Sequence, residues 1–201
     1  MRLEENPSTL PSDVAEGKAW LTIPNALTMA RLVAIIPFAI LAMRGRDRAA
    51  LVLFIIAGLT DTLDGTIARH FGQTSKIGRL LDPLADKLFT GAAYVVLSMF
   101  RPGLSQIPVW VMAAVILRDI FILIGSLIVY RASRNSGFHP SIYGKLNTLI
   151  EIGIVVFFLA QPDFSFLAMI LPAAYILLLI SLLVSAGDYL WTGLRMMRRP
   201  G

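Results

Sequence analysis

The chain has 201 residues, 56% of them hydrophobic and only 15% charged, with a mean hydropathy of +0.72. Soluble domains carry about a quarter charged residues, so this composition excludes disorder, collagen-like repeats and an ordinary soluble globule. There is no cysteine, which removes a disulfide framework, a thiolate metal site and a cysteine nucleophile. The net charge of +5 and pI near 9.9 fit the positive-inside bias of a membrane protein better than a nucleic-acid partner.

The first segment, 1–17, is polar and acidic, with Glu4, Glu5, Asp13 and Glu16 and no apolar run. It has neither the basic start and apolar stretch of a secretory signal nor the Arg-rich, acid-poor make-up of a transit peptide. It reads as a cytoplasmic arm over 1–22 with an interfacial turn near Trp20. Six apolar stretches follow, near 24–43, 49–70, 79–100, 107–130, 141–161 and 165–194, each close to the roughly 20 residues that cross a bilayer. The connectors at 44–48, 71–78, 101–106, 131–140 and 161–164 are too short to be domains. The expected fold is an all-α integral membrane bundle of six transmembrane helices, with 23–201 as one membrane domain.

Basic residues orient it. With both termini cytoplasmic, the inner segments hold eleven Lys and Arg residues (Arg2, Lys18, Arg69, Lys76, Arg79, Arg131, Arg134, Lys145, Arg195, Arg198 and Arg199), against Arg44, Arg46, Arg48 and Arg101 outside. That asymmetry favours both termini inside. Arg31, Lys87 and Arg118 lie within spans.

The chemistry concentrates at the facing ends of the second and third stretches. Asp61, Asp64, Gly65, Ala68 and Arg69 are followed by Gly78, Asp82 and Asp86. An aspartate costs roughly 2.5–3.5 kcal/mol at a membrane-helix centre, and less near its end. At about 100° per residue, Asp61, Asp64, Gly65 and Ala68 share an arc of about 100°, and Gly78, Asp82 and Asp86 one of about 80°. Each helix thus shows two carboxylates beside small residues. Hard oxygen donors without His or Cys suit two divalent cations, Mg²⁺ or Mn²⁺, and a metal pair is a common clamp for phosphoryl displacement. The plainer alternative is ion pairing with Arg69, Lys76, Arg79 and Lys87, which explains neutrality but not the shared small-residue faces.

The run resembles the signature of the CDP-alcohol phosphotransferase family, D-x-x-D-G-x-x-A-R followed by G-x-x-x-D-x-x-x-D, and all eight fixed positions are present. The resemblance implies that Asp61, Asp64, Asp82 and Asp86 hold two metal ions and that Gly65, Ala68, Arg69 and Gly78 receive the CDP part of the donor. It further implies that Asp86 is the base that deprotonates the acceptor, that the chain is a homodimer, and that the fold is a six-helix membrane bundle. Ile23-Pro24-Asn25, with Thr28 and Arg31 behind it, resembles the I-P-N-x-x-T-x-x-R entry of members that use CDP-diacylglycerol, adding Asn25, Thr28 and Arg31 to the donor side. Pro24 alone would serve equally as a helix opener.

Arg118, Lys145 and Asn147 are the candidate acceptor residues. Arg118 offers a guanidinium fork matched to phosphate oxygens, or else forms a self-neutralising pair with Asp119. Lys145 and Asn147 enter the fifth stretch near the same surface, where Lys145 could also be an ordinary positive-inside residue. Glu151 and Asp188 carry no assigned role beyond packing or water contacts. The segments Ala57–Asp61, Arg118–Ile120 and Lys145–Thr148 are similar to the CMP-forming cardiolipin synthase branch, which implies phosphatidylglycerol as the acceptor. Phosphatidylglycerophosphate synthases, which use glycerol 3-phosphate, resemble it at the donor motif but read Arg-Glu at 118–119 and Lys-x-Lys-Thr at 145–148. A cation or solute carrier is the alternative of a different class, although carriers keep their acids near the midplane. The expected setting is a prokaryotic cell (inner) membrane with the site facing the cytoplasm and no nucleic-acid partner.

Overall fold

The computed structural model describes residues 23–71, 78–132 and 142–197, with the backbone alone over several helix ends, 61–71 and 78–83 among them. Within these residues all regular structure is helical: α1 Ile23–Met43, α2 Asp47–Phe71, α3 Gly78–Met99, α4 Val109–Ala132, α5 Ile142–Ala160 and α6 Phe166–Met197. The expected arm at 1–22 and the basic residues of 72–77, 133–141 and 198–201 lie outside the described residues.

Each helix coincides with one apolar run, and the ends that differ have local causes. Helix α2 starts at Asp47, two residues before the expected 49, because an acidic side chain in the first turn complements the exposed N–H groups. The same carboxylate accepts from Arg101 at 2.6 Å. Helix α4 starts at Val109, two residues after the expected 107, because Pro108 disfavours a helical conformation at 107 and its carbonyl accepts the first bonds, from Val111 at 2.9 Å and Met112 at 3.4 Å.

The α1–α2 connector is closed by glycine. The Arg46 N–H reaches the Leu41 carbonyl at 2.9 Å and the Gly45 N–H reaches Ala42 at 3.1 Å, the paired bonds of a Schellman cap. Gly45 has φ of 68°, a left-handed conformation that costs other L-residues. This tight reversal makes α1 and α2 antiparallel.

Helix α1 packs against α2 and α3, α6 against α4 and α5, and α5 against α2 and α3. Phe38 of α1, Phe54 of α2 and Phe89 of α3 form one aromatic cluster, with centroids 5.4 to 5.8 Å apart.

The bundle has an apolar core that also encloses several polar side chains, and its outer surface carries many large apolar ones. Arg31, Arg118, Asn147, Glu151 and Ser185 are buried, while Val33, Leu117, Leu149, Met169 and Leu183 are exposed. Among the described residues, Phe166–Asp188 is the one stretch that is by itself long and apolar enough to cross a membrane, and Thr28–Met43 is a shorter apolar one.

Candidate active site

The helical backbone is continuous through the C-terminal half of α2 and from Gly78 through α3. The i, i+3 and i, i+4 spacings of the aspartates are therefore realised as shared helix faces: Asp61 and Asp64 with Gly65 and Ala68 on α2, and Asp82 and Asp86 with Gly78 on α3. The side chains of Asp61, Asp64, Gly65, Ala68, Arg69, Gly78 and Asp82, and that of Asn25 on α1, lie outside the described residues. Asp86 is partly buried. It is flanked by the buried Ala85, and one turn on come the buried Phe89 and Thr90. Among the described side chains, no three acids or histidines come together as a metal cluster.

Two relationships locate the remaining donor-side candidates within the fold. The Phe54–Phe89 stack, at 5.4 Å and 20° between planes, joins α2 to α3 beneath the aspartates. Thr28 and Arg31 are both buried on α1. The reversal at Gly45 brings them to the aspartate end of α2, since both stand about four to five turns from the connector, as Asp61 does on the other side.

Next to Asp86, Lys87 turns away into a polar cluster built from four helices. Its Nζ lies 3.0 Å from Asp119 Oδ1 of α4 and 3.2 Å from Glu151 Oε2 of α5. Arg118 Nη1 is 2.8 Å from Asp119 Oδ1, and its Nη2 donates to Ser185 Oγ of α6 at 2.8 Å. Asn147 donates to Glu151 and accepts from Ser181 Oγ at 2.7 Å. Tyr94 donates to the Glu151 carbonyl at 3.0 Å.

Of the candidate acceptor residues, the structure brings Arg118 and Asn147 into this one network and leaves Lys145 exposed on α5. Two residues from Asn147, Lys145 points about 200° away around the helix. The pairing of Arg118 with Asp119 is present, and both ends of the Asn147 amide are engaged. The sequence reading gave Glu151 no role, yet it is a central member of the cluster. The available signal was a lone acid within an apolar run, at i, i+4 spacing from Asn147.

The opposite end of the bundle is tied by charge as well. Arg101, buried and stacked over Phe158 at 5.4 Å, pairs with Asp47. Arg48 pairs with Asp163 of the α5–α6 connector, and its hydrogen bonds hold the Asp163 carboxyl below its ordinary value.

Comparison with known proteins bears on this arrangement. The family model described as CDP-alcohol phosphatidyltransferase matches residues 21–186. A probable CMP-forming cardiolipin synthase of Drosophila melanogaster is 31% identical over 163 residues, covering 73% of this chain and 49% of that protein. The chain thus spans about half the length of that relative. A CDP-diacylglycerol–glycerol-3-phosphate 3-phosphatidyltransferase of Aquifex aeolicus is 31% identical over 183 residues, covering 88% of this chain and 98% of that protein. A probable phosphatidylglycerophosphate synthase of Mycobacterium tuberculosis is 34% identical over 184 residues, covering 86% and 82%. In fold, the chain is similar to the crystal structure of the M. tuberculosis phosphatidylinositol phosphate synthase with CDP-DAG bound. That match has a TM-score of 0.58 and 20% identity, and covers 94% of this chain and 97% of that one. With its motif on two adjoining helices and the model match spanning most of its length, the chain belongs to the CDP-alcohol phosphatidyltransferase family, whose members named here are enzymes of phospholipid synthesis.

Proposed function

We propose that the chain crosses a bilayer six times with both termini cytoplasmic, and transfers the phosphatidyl group of CDP-diacylglycerol to phosphatidylglycerol, forming cardiolipin and CMP. The large apolar side chains exposed around the bundle support the spans, and the excess of inner basic residues supports the orientation. A prokaryotic cell membrane with the site facing the cytoplasm is the setting this reading implies.

The four aspartates fit a pair of divalent cations. All donors are hard oxygens, two on each of two helices joined by the Phe54–Phe89 stack. When bound, Mg²⁺ or Mn²⁺ would neutralise the diphosphate and ease the departure of CMP. Gly65, Ala68 and Gly78 allow close backbone approach of the cytidine end, with Arg69, Asn25, Thr28 and Arg31 as its polar contacts. Asp86 takes the proton of the acceptor hydroxyl as its oxygen bonds to the phosphatidyl phosphorus and the bond to CMP breaks.

The charge balance beside Asp86 carries the choice of acceptor. Lys87 and Arg118 are matched by Asp119 and Glu151, so little positive charge is left over for a phosphate dianion. Phosphatidylglycerol, a phosphodiester, presents one negative charge. Glycerol 3-phosphate is the second reading, favoured by the near full-length match to the Aquifex transferase. The carrier alternative has no support among these relatives. The test is CMP release by purified protein with CDP-diacylglycerol, Mg²⁺ and each acceptor in turn. Release driven by glycerol 3-phosphate and not by phosphatidylglycerol would replace the first reading with the second.

A further inference from the structure

Lys87 is the point where carboxylates from two other helices meet one ammonium. Arg118 closes the set from the Asp119 side, and Asn147 holds the other oxygen of Glu151. Two bases and two acids thus form a group with no net charge. Its members differ in burial: the Glu151 side chain is 0% exposed, whereas that of Lys87 is 31% exposed. A buried carboxylate persists only where it is paired, so Glu151 and Lys87 constrain each other. Lys87 directly follows Asp86, so on the reading above this group lies within about one helix turn of the residue that meets the acceptor.

Resting on the phosphatidyl-transfer reading above, we propose that Glu151 is a specificity-determining residue. By cancelling the charge of Lys87 it keeps the acceptor side of the site neutral, and so favours a phosphodiester alcohol over a phosphomonoester alcohol. A phosphomonoester carries between one and a half and two negative charges at neutral pH, its second pKa being about 6, while a phosphodiester carries one. Removing the Glu151 charge leaves an uncancelled cation, which rewards the more anionic acceptor. Removing Lys87 leaves an uncancelled anion, which does the reverse.

The experiment compares kcat/KM for glycerol 3-phosphate and phosphatidylglycerol in the full-length protein, Glu151→Gln and Lys87→Met. The ratio of the two should rise several-fold in Glu151→Gln and fall several-fold in Lys87→Met, because the two acceptors differ by between half a charge and one charge and a nearby uncancelled charge acts on that difference. A purely structural role would depress both acceptors together in both variants. An unchanged ratio, or a shift of the same sign in both, overturns the proposal. If Glu151→Gln fails to fold, Lys87→Met alone must lower the ratio. Thermal stabilisation by glycerol 3-phosphate without donor gives an independent readout: larger than wild type in Glu151→Gln, smaller in Lys87→Met. Equal stabilisation overturns the proposal. Absence of turnover with either acceptor in the wild type contradicts the phosphatidyl-transfer reading, and the anion measurement still decides the role of Glu151.

Discussion

Phe54 stacks on Phe89 with centroids 5.4 Å apart and planes 20° from parallel, clamping α2 to α3 about two turns from Asp61 and about one turn from Asp86. Both rings are buried and both touch Phe38 of α1. The cluster therefore ties α1, α2 and α3 together one to two turns from the aspartate positions. Phe54→Ala should destabilise by about 3 kcal/mol or more, from lost contacts and the cavity left behind, and should lower turnover by loosening the α2–α3 spacing. Phe54→Leu should recover much of both. Thermal unfolding in detergent alongside CMP release checks this, and an unchanged melting temperature in Phe54→Ala would contradict it.

The four aspartates should separate by their response to metal. On the proposed metal site, Asp61→Asn and Asp82→Asn would remove a ligand charge without changing shape, so turnover should vanish in protein that still extracts and folds. Asp86→Asn should cut the rate about 10²–10⁴-fold, the cost of a missing general base, at every Mg²⁺ concentration. If Asp86 served only as a ligand, excess Mg²⁺ or Mn²⁺ would restore a good part of the loss by mass action. Full rescue sinks its assignment as the base.

Gly45 makes a prediction independent of chemistry. Its left-handed φ of 68° is part of the cap on α1, and a β-carbon there would sit 3.2 Å from Leu104 Cδ1. Gly45→Ala should destabilise by about 1–2 kcal/mol, with kcat changed little. Equal stability of the variant would mean that the reversal between α1 and α2 does not need glycine.

At the same end of the bundle, Arg48 holds the Asp163 carboxyl below its ordinary value of 3.8 through hydrogen bonds and charge. A depressed carboxylate contributes stability that is present above the ordinary value and lost as pH falls through the lower folded one. Wild type should therefore exceed Asp163→Asn slightly in melting temperature at neutral pH, and the gap should close in strong acid. Because Arg48 is exposed, added salt should shrink the neutral-pH gap. A gap that widened on acidification would be inconsistent with the pairing.

Much of this architecture was legible in residue order, and the reasons are specific. Apolar runs of span length gave all six helices, because the requirement for internally satisfied backbone leaves little choice in a membrane. The starts of α2 and α4 were displaced by single residues, Asp47 and Pro108. The shared faces of Asp61 with Asp64 and of Asp82 with Asp86 follow from helical spacing alone. Which helices meet does not. The joining of Lys87 with Glu151, 64 residues apart in the chain, depends on α3 packing against α5, and no local pattern encodes that. For the same reason Arg118, Lys145 and Asn147 looked like one basic pocket in sequence. In the structure two of them enter a charge-balanced network and Lys145 stands outside it.

On the proposed function the chain transfers a phosphatidyl group from CDP-diacylglycerol to phosphatidylglycerol. Mass spectrometry of the lipids formed by purified protein supplied with CDP-diacylglycerol, Mg²⁺ and equal amounts of phosphatidylglycerol and glycerol 3-phosphate tests it directly. Cardiolipin is the expected main product, formed in step with CMP and abolished by chelation of the metal. Phosphatidylglycerophosphate as the main product, or cardiolipin formed without CMP, would contradict it.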